Sequence, residues 1–105
     1  MALTTTINNQ GASNTGPLVN ASGTTTAGGT AQDITAEVAQ RRFFFFQNIS
    51  VETMWLNFGA DAVADSPSIK VPAGAVLSFE GSWIPGDRVS MISATTGSKF
   101  VCKVG

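Results

Sequence analysis

From residue 33 onward, apolar and polar residues alternate in short runs cut by turn residues, a pattern that predicts strands. Ile34, Ala36 and Val38 alternate with Asp33, Thr35 and Glu37 to give a first, half-exposed strand. Next comes Arg41-Arg42-Phe43-Phe44-Phe45-Phe46-Gln47-Asn48. Four successive rings in a strand place two on each face. The run therefore needs cover on both sides, from a second sheet on one face and from more chain or another protein on the other. It predicts the central strand of a small all-β domain. A helix fits less well, because aromatics lose χ1 freedom there and polar and β-branched residues follow at once from Asn48 to Val51.

The remaining runs are similar. Met54, Leu56 and Phe58 point one way and Trp55 and Asn57 the other, with Gly59 closing the strand. Ala60 to Pro67 reads as a loop. In Ser68 to Val71, Ile69 and Val71 face in; in Ala75 to Glu80, Leu77 and Phe79 share a face. Pro72-Ala73-Gly74 predicts a turn with Pro at its second position and Gly at its fourth. Pro85-Gly86 predicts a type II turn in which Gly supplies a positive φ. Arg88 to Ala94 and Lys99 to Val104 predict a closing hairpin around Thr96-Gly97, with Phe100, Cys102 and Val104 inward and Lys99 and Lys103 outward. About seven short strands with regular turn signals predict an antiparallel β-sandwich or a jelly-roll-like barrel.

Residues 1–32 differ from the rest. No charged side chain precedes Asp33, and Thr, Asn, Gly, Ser and Ala dominate. Leu3, Ile7, Leu18 and Val19 are its sparse apolar anchors. Alone, such a stretch buries too little surface to offset its ordering entropy. It is either a disordered leader or an extended arm that orders against a neighbouring subunit, with those four residues as pegs. An uncharged arm has nothing to repel a surface, which favours the second reading. Some 30 extended residues reach on the order of 100 Å. The expected organisation is thus an arm over 1–32 and a β-domain over 33–105.

Composition shifts the expectation from chemistry to assembly. Charged residues make up 12% of the chain, about half the usual roughly 25%, and the mean hydropathy is +0.17. Low charge with spare apolar surface points to subunit association. A net charge of -1 provides no field to collect nucleic acid or anionic lipid. Histidine is absent, which removes the usual general base and the commonest metal ligand. The single cysteine, Cys102, lies in an apolar strand pattern and reads as a buried thiol. The N-terminus lacks the basic start and apolar core of a signal peptide, and no apolar run approaches the roughly 18 to 20 residues of a membrane span. The chain is expected to be made in a reducing cytoplasm.

Few residues suggest a site. Asp61, Asp65 and Ser66 share a loop, but match no calcium-binding pattern. Glu80 and Asp87 could pair as glycosidase carboxylates only if the fold brought them together. No cofactor or metal is called for. Arg41, Arg42 and Arg88 are expected to pair with acids or carbonyls rather than with nucleic acid. Trp55 and Trp83 are candidates for core packing, a subunit interface or a sugar-stacking platform. With Leu3, Ile7, Leu18, Val19, Phe43 and Phe45 they form the set of candidate interface residues.

Four segments carry a family resemblance: Gln40 to Asn48, Met54-Trp55-Leu56-Asn57-Phe58-Gly59, Pro67-Ser68-Ile69-Lys70-Val71-Pro72-Ala73-Gly74, and Ile92-Ser93-Ala94-Thr95-Thr96-Gly97. Together they resemble small virion proteins of tailed bacteriophages, in which an arginine-led apolar strand ending in Gln-Asn precedes a Leu-Trp-Ile-Asn-Phe-Gly type strand, a proline turn and a Ser-Ala-Thr-Thr-Gly closure. The resemblance spans roughly residues 30 to 105 and implies a non-enzymatic capsid decoration (cement) or head-fibre protein of the virion. It implies the major capsid protein or other virion proteins as partners, and a homo-oligomer, often a trimer, with no nucleic acid or membrane. The alternative is a tail or fibre component or a carbohydrate- or receptor-binding module.

Overall fold

A computed structural model describes residues 16–105 of the chain. Its strands, in order, are β1 (Val19–Asn20), β2 (Gly23–Thr24), β3 (Gln32–Thr35), β4 (Phe44–Asn48), β5 (Met54–Phe58), β6 (Ile69–Val71), β7 (Val76–Phe79), β8 (Val89–Ser93) and β9 (Lys99–Val104). No helix occurs among the described residues. A five-stranded sheet has the order β1-β9-β4-β7, with β2 also on β9, and a four-stranded sheet has the order β3-β8-β5-β6. Every pairing is antiparallel. The two sheets enclose one core in a sandwich-like arrangement, as expected for the all-β class.

The phenylalanine run sits at the centre of the five-stranded sheet, between β9 and β7. Phe44 and Phe46 are fully buried, and burial of each such ring stabilises by about 1.5–3 kcal/mol. Phe46 stacks on Phe100 with centroids 5.4 Å apart, while Phe44 meets Phe58 of the other sheet edge-on at 5.5 Å. Met54, Leu56, Val71, Val89 and Met91 complete the core from the four-stranded side. Phe43 and Phe45 are on the other side of their strand and only half-buried. The second face of the run has thus obtained partial cover from its own chain.

Several local expectations are corrected. β8 and β9 do not form a hairpin: they belong to different sheets, and Ala94 to Ser98 is an arch across the edge of the sandwich. Crossing lets Val89 and Met91 face Phe100 and Cys102 across the core instead of lying beside them. β6 and β7 are likewise split between the sheets. The proline turn is one residue later than expected, because Ala75 N donates to Pro72 O at 3.0 Å and Gly74, at φ +79°, holds the third position. Gly86 is not a positive-φ residue. A Cβ there would come within 2.5 Å of the Val38 carbonyl oxygen, so close backbone approach requires the glycine. The first strand is also shorter than its alternation suggests. A bulge falls between Asp33 and Thr35, and Ala36 and Val38 leave the sheet exposed. Ile69, expected inward, is 39% exposed at the sheet margin.

Residues 19–24, within the stretch before Asp33, contribute to the sheet. β1 and β2 hold a single register against β9, from Val19 opposite Val104 to Thr24 opposite Lys99. Between them the Ser22 hydroxyl accepts from Cys102 N at 2.9 Å, replacing a ladder bond. Thr25 N then donates to Ser98 O, and Gly29 N to Ser93 O. Gln32 closes the margin between the sheets, donating to Thr24 O at 3.0 Å and accepting from Thr26 N at 2.8 Å.

Candidate functional site

At the end of the sandwich where β4 begins and β9 finishes, consecutive arginines have opposite fates. Arg41 is buried and Arg42 is exposed. The Arg41 guanidinium donates to the carbonyls of Ala36 (3.0 Å), Pro85 (2.8 Å) and Asp87 (3.1 Å), joining two loops, and lies 6.0 Å from the Phe44 ring centre. Its Nε has no partner among the described residues. Burial pulls its pKa below the ordinary value, opposed by Cys102 and Asp87. The sequence expectation that the arginines pair with carbonyls or acids holds for Arg41, and for Arg88, which bridges Asp33 (2.6 Å) and Asp61 (3.0 Å).

Arg42 instead stands between two adjoining hollows. One, of about 370 Å³, is lined by Gly16, Leu18, Phe43, Glu80 and Gly105. The other, of about 680 Å³, is lined by Gln40, Ser82, Trp83 and Ile84, and both share Arg42 and Gly81. Gly105 helps to shape the first hollow: Arg42 N donates to Gly105 O, and Gly105 N to Phe43 O. Trp83 is 71% exposed yet anchored, because its ring meets Phe79 edge-on at 6.3 Å and Phe79 meets Phe58 at 5.7 Å. A line of edge-on aromatic contacts thus runs from the core to the surface.

The structure therefore brings together Leu18, Phe43 and Trp83, which are far apart in sequence, with Val19 adjacent to Leu18. Leu18 and Val19 are each 58% exposed. The other candidates lie elsewhere. Phe45 is on the outer face of the five-stranded sheet, between Ser78 and Lys103 of the neighbouring strands. Trp55 is half-buried on the outer face of the four-stranded sheet, flanked by Lys70 and Ile92, with Lys70 Nζ 5.9 Å from its ring centre. It lines a separate hollow of about 350 Å³ with Ala64 and Ala94. Leu3 and Ile7 lie outside the described residues.

Asp61 is held together with Asp33 by Arg88, Glu80 lines the hollow beside Leu18, and Asp87 lies near Gly59. Among the described residues no three His, Cys, Asp or Glu side chains approach one another as metal ligands would. The Cys102 thiol is buried, and burial pushes its pKa up to about 11, with Arg41 opposing.

Sequence reasoning missed the part played by Asn48. It is fully buried and organises the arch from β4 to β5, donating to Glu52 O (2.6 Å) and Val71 O (3.0 Å) and accepting from Ser50 N (2.9 Å). The available signal was Asn48-x-Ser50 directly after an apolar strand, a spacing suited to an Asx turn. No protein-family model matches the chain, and no curated protein or solved structure does so either.

Proposed function

We propose that this chain is a non-enzymatic structural protein of a tailed-phage virion, a capsid decoration (cement) protein. It binds the assembled shell through its β-domain and N-terminal arm. The observation that carries this reading is the gathering of Leu18, Phe43 and Trp83 around Arg42 at one end of the sandwich. An exposed tryptophan backed by the core, beside further apolar residues and an arginine, has the composition of an interface hot spot. The major capsid protein is the proposed partner, and a homo-oligomer, in the first instance a trimer, the proposed form.

The strand order supports a finer architectural reading. In the orders β1/β2-β9-β4-β7 and β3-β8-β5-β6, successive strands pass from one sheet to the other except at β1–β2 and β5–β6. We read this as a jelly roll, an architecture that viral capsid proteins use and that lectins use too. Fold alone selects neither function. Many weakly bound copies on one lattice would bind strongly together, and binding only the assembled shell would stabilise it by mass action.

The test is co-sedimentation with empty shells of the parent particle, together with the shells' melting temperature. Binding with a raised melting temperature is expected. Failure to co-sediment at saturating concentration would reject the reading. The exposure of Trp83 favours one alternative, a tail or fibre module that stacks sugar rings on it. That module would show tryptophan quenching with glycans and no affinity for shells.

A further inference from the structure

The margins of the two sheets are not alike. β3 carries a bulge and Asp33, β6 carries Lys70 with Pro72 just beyond, and β1 and β2 are two-residue pieces. Bulges, charges, prolines and shortness all protect an edge from further pairing. β7 lacks such devices. Val76-Leu77-Ser78-Phe79 has no charge or proline, and its register with β4 is unbroken. Among the described residues it pairs with β4 alone.

The ladder fixes which backbone groups face outward. Asn48 N donates to Ala75 O at 3.1 Å, and antiparallel pairs alternate between bonded and non-bonded. Ala75, Leu77 and Phe79 therefore direct their N–H and C=O groups toward β4, while those of Val76 and Ser78 point away from it. The side chains of Val76 and Ser78 are exposed on the outer face, and those of Leu77 and Phe79 pack against the core while staying half-buried.

This edge is complementary to itself. A two-fold axis beside Leu77 sets Val76 opposite Ser78 of a second copy, and Ser78 opposite its Val76, so that each pair exchanges both backbone bonds. Slipping by one residue would oppose an outward-facing residue to one whose groups already serve β4. Leu77 then meets Leu77 on the core side. Around it large residues fall against small ones, Phe79 against Ala75 and Glu80 against Gly74. The two Glu80 carboxylates lie roughly 20 Å apart along the strands, beyond the screening length of about 8 Å, so no like charges are opposed.

We infer that β7 is a self-association edge, through which two copies of this chain join antiparallel and make one continuous sheet across both sandwiches. The contact repeats the antiparallel geometry of β4 with β7. It has two-fold symmetry and closes at two copies, so a three-fold assembly would use another surface. The inference does not rest on the shell-binding reading, and the ladder engages none of Leu18, Phe43 or Trp83.

Light scattering and hydrogen exchange on the full-length chain test it. A ladder this short holds weakly, so mass is followed from about 1 μM to about 1 mM. The expected result is a rise from one copy to two, with the Val76 and Ser78 amides exchanging at least about tenfold more slowly at the upper concentration. Two variants should hold the mass at one copy. Ser78→Pro removes an outward donor, a change that an edge strand tolerates. Val76→Lys places two ammonium groups roughly 7 Å apart along the paired strands. Unchanged exchange at the Phe46 and Cys102 amides controls for folding. A single-copy mass throughout would overturn the inference, as would a doubled mass that persists in both variants. So would protection of Val76 and Ser78 in the single-copy species, because the same chain would then cover its own edge.

Discussion

The Asn48 side chain on β4 donates to the Val71 carbonyl on β6 at 3.0 Å, a hydrogen bond that passes from one sheet to the other inside the core. The same nitrogen reaches Glu52 O, and Oδ1 accepts from the amide and hydroxyl of Ser50. Asn48→Ala leaves the buried Val71 carbonyl, and the part-buried Glu52 carbonyl and Ser50 donors, without these partners. Buried polar groups so abandoned cost about 1–3 kcal/mol each, partly relieved by relaxation. A loss of about 2–4 kcal/mol in urea denaturation is expected. A loss below about 1 kcal/mol would show that the arch holds without its asparagine.

Arg41 has the corresponding role at the other end of the same strand. Its guanidinium serves three carbonyls on two loops, and a lysine ammonium cannot span them in one plane. Arg41→Met should cost about 3 kcal/mol, with Arg41→Lys intermediate. If both variants melt at the temperature of the unaltered protein, the arginine does not hold the loops together.

Cys102 gives a pH signature. Its folded pKa of about 11 exceeds the ordinary 9.0, so the unfolded chain loses this proton first. The thiol's contribution to stability is complete below pH 9.0 and declines as pH rises toward 11. Cys102→Ala should flatten that part of the stability profile. The thiol should also resist alkylation at pH 8 until the chain unfolds; rapid labelling of the native protein would contradict its burial.

Two glycines should respond differently to alanine. At Gly74 a Cβ meets nothing within 4 Å, and only the positive φ of +79° opposes it, so a loss of about 1 kcal/mol is expected. At Gly86 the new Cβ would lie 2.5 Å from the Val38 carbonyl oxygen, which also disturbs the Val38 N to Gly86 O bond of 2.8 Å. Gly86→Ala should therefore be clearly the more damaging in thermal melts. Equal losses would refute the assignment of close approach.

Trp83→Ala separates association from folding. The ring is 71% exposed, so stability should change by less than about 1 kcal/mol. An interface anchor, by contrast, is worth 2 kcal/mol or more, roughly a thirtyfold loss of shell affinity. Unchanged shell affinity would remove Trp83 from the proposed interface.

Much of the chain was legible because side-chain alternation is a local property. Phe44 and Phe46 go inward together in any strand that contains them, as do Met54 with Leu56 and Phe100 with Cys102. Gly59 and Gly97 mark turns by their own conformational freedom, with φ of +85° at each. By itself, the sequence determined most of the strands from residue 33 onward, most of their buried faces and the low content of charge. Only the tertiary structure decided which sheet each strand joined. Thr96-Gly97 serves a hairpin or an arch equally well, and the choice rests on whether Met91 and Phe100 gain more by facing each other than by lying side by side. The same long-range packing brought Leu18, Phe43 and Trp83 to one end of the molecule and gave Asn48 two carbonyls to satisfy. Those are contacts between distant segments, and the local pattern of polar and apolar residues carries no record of them.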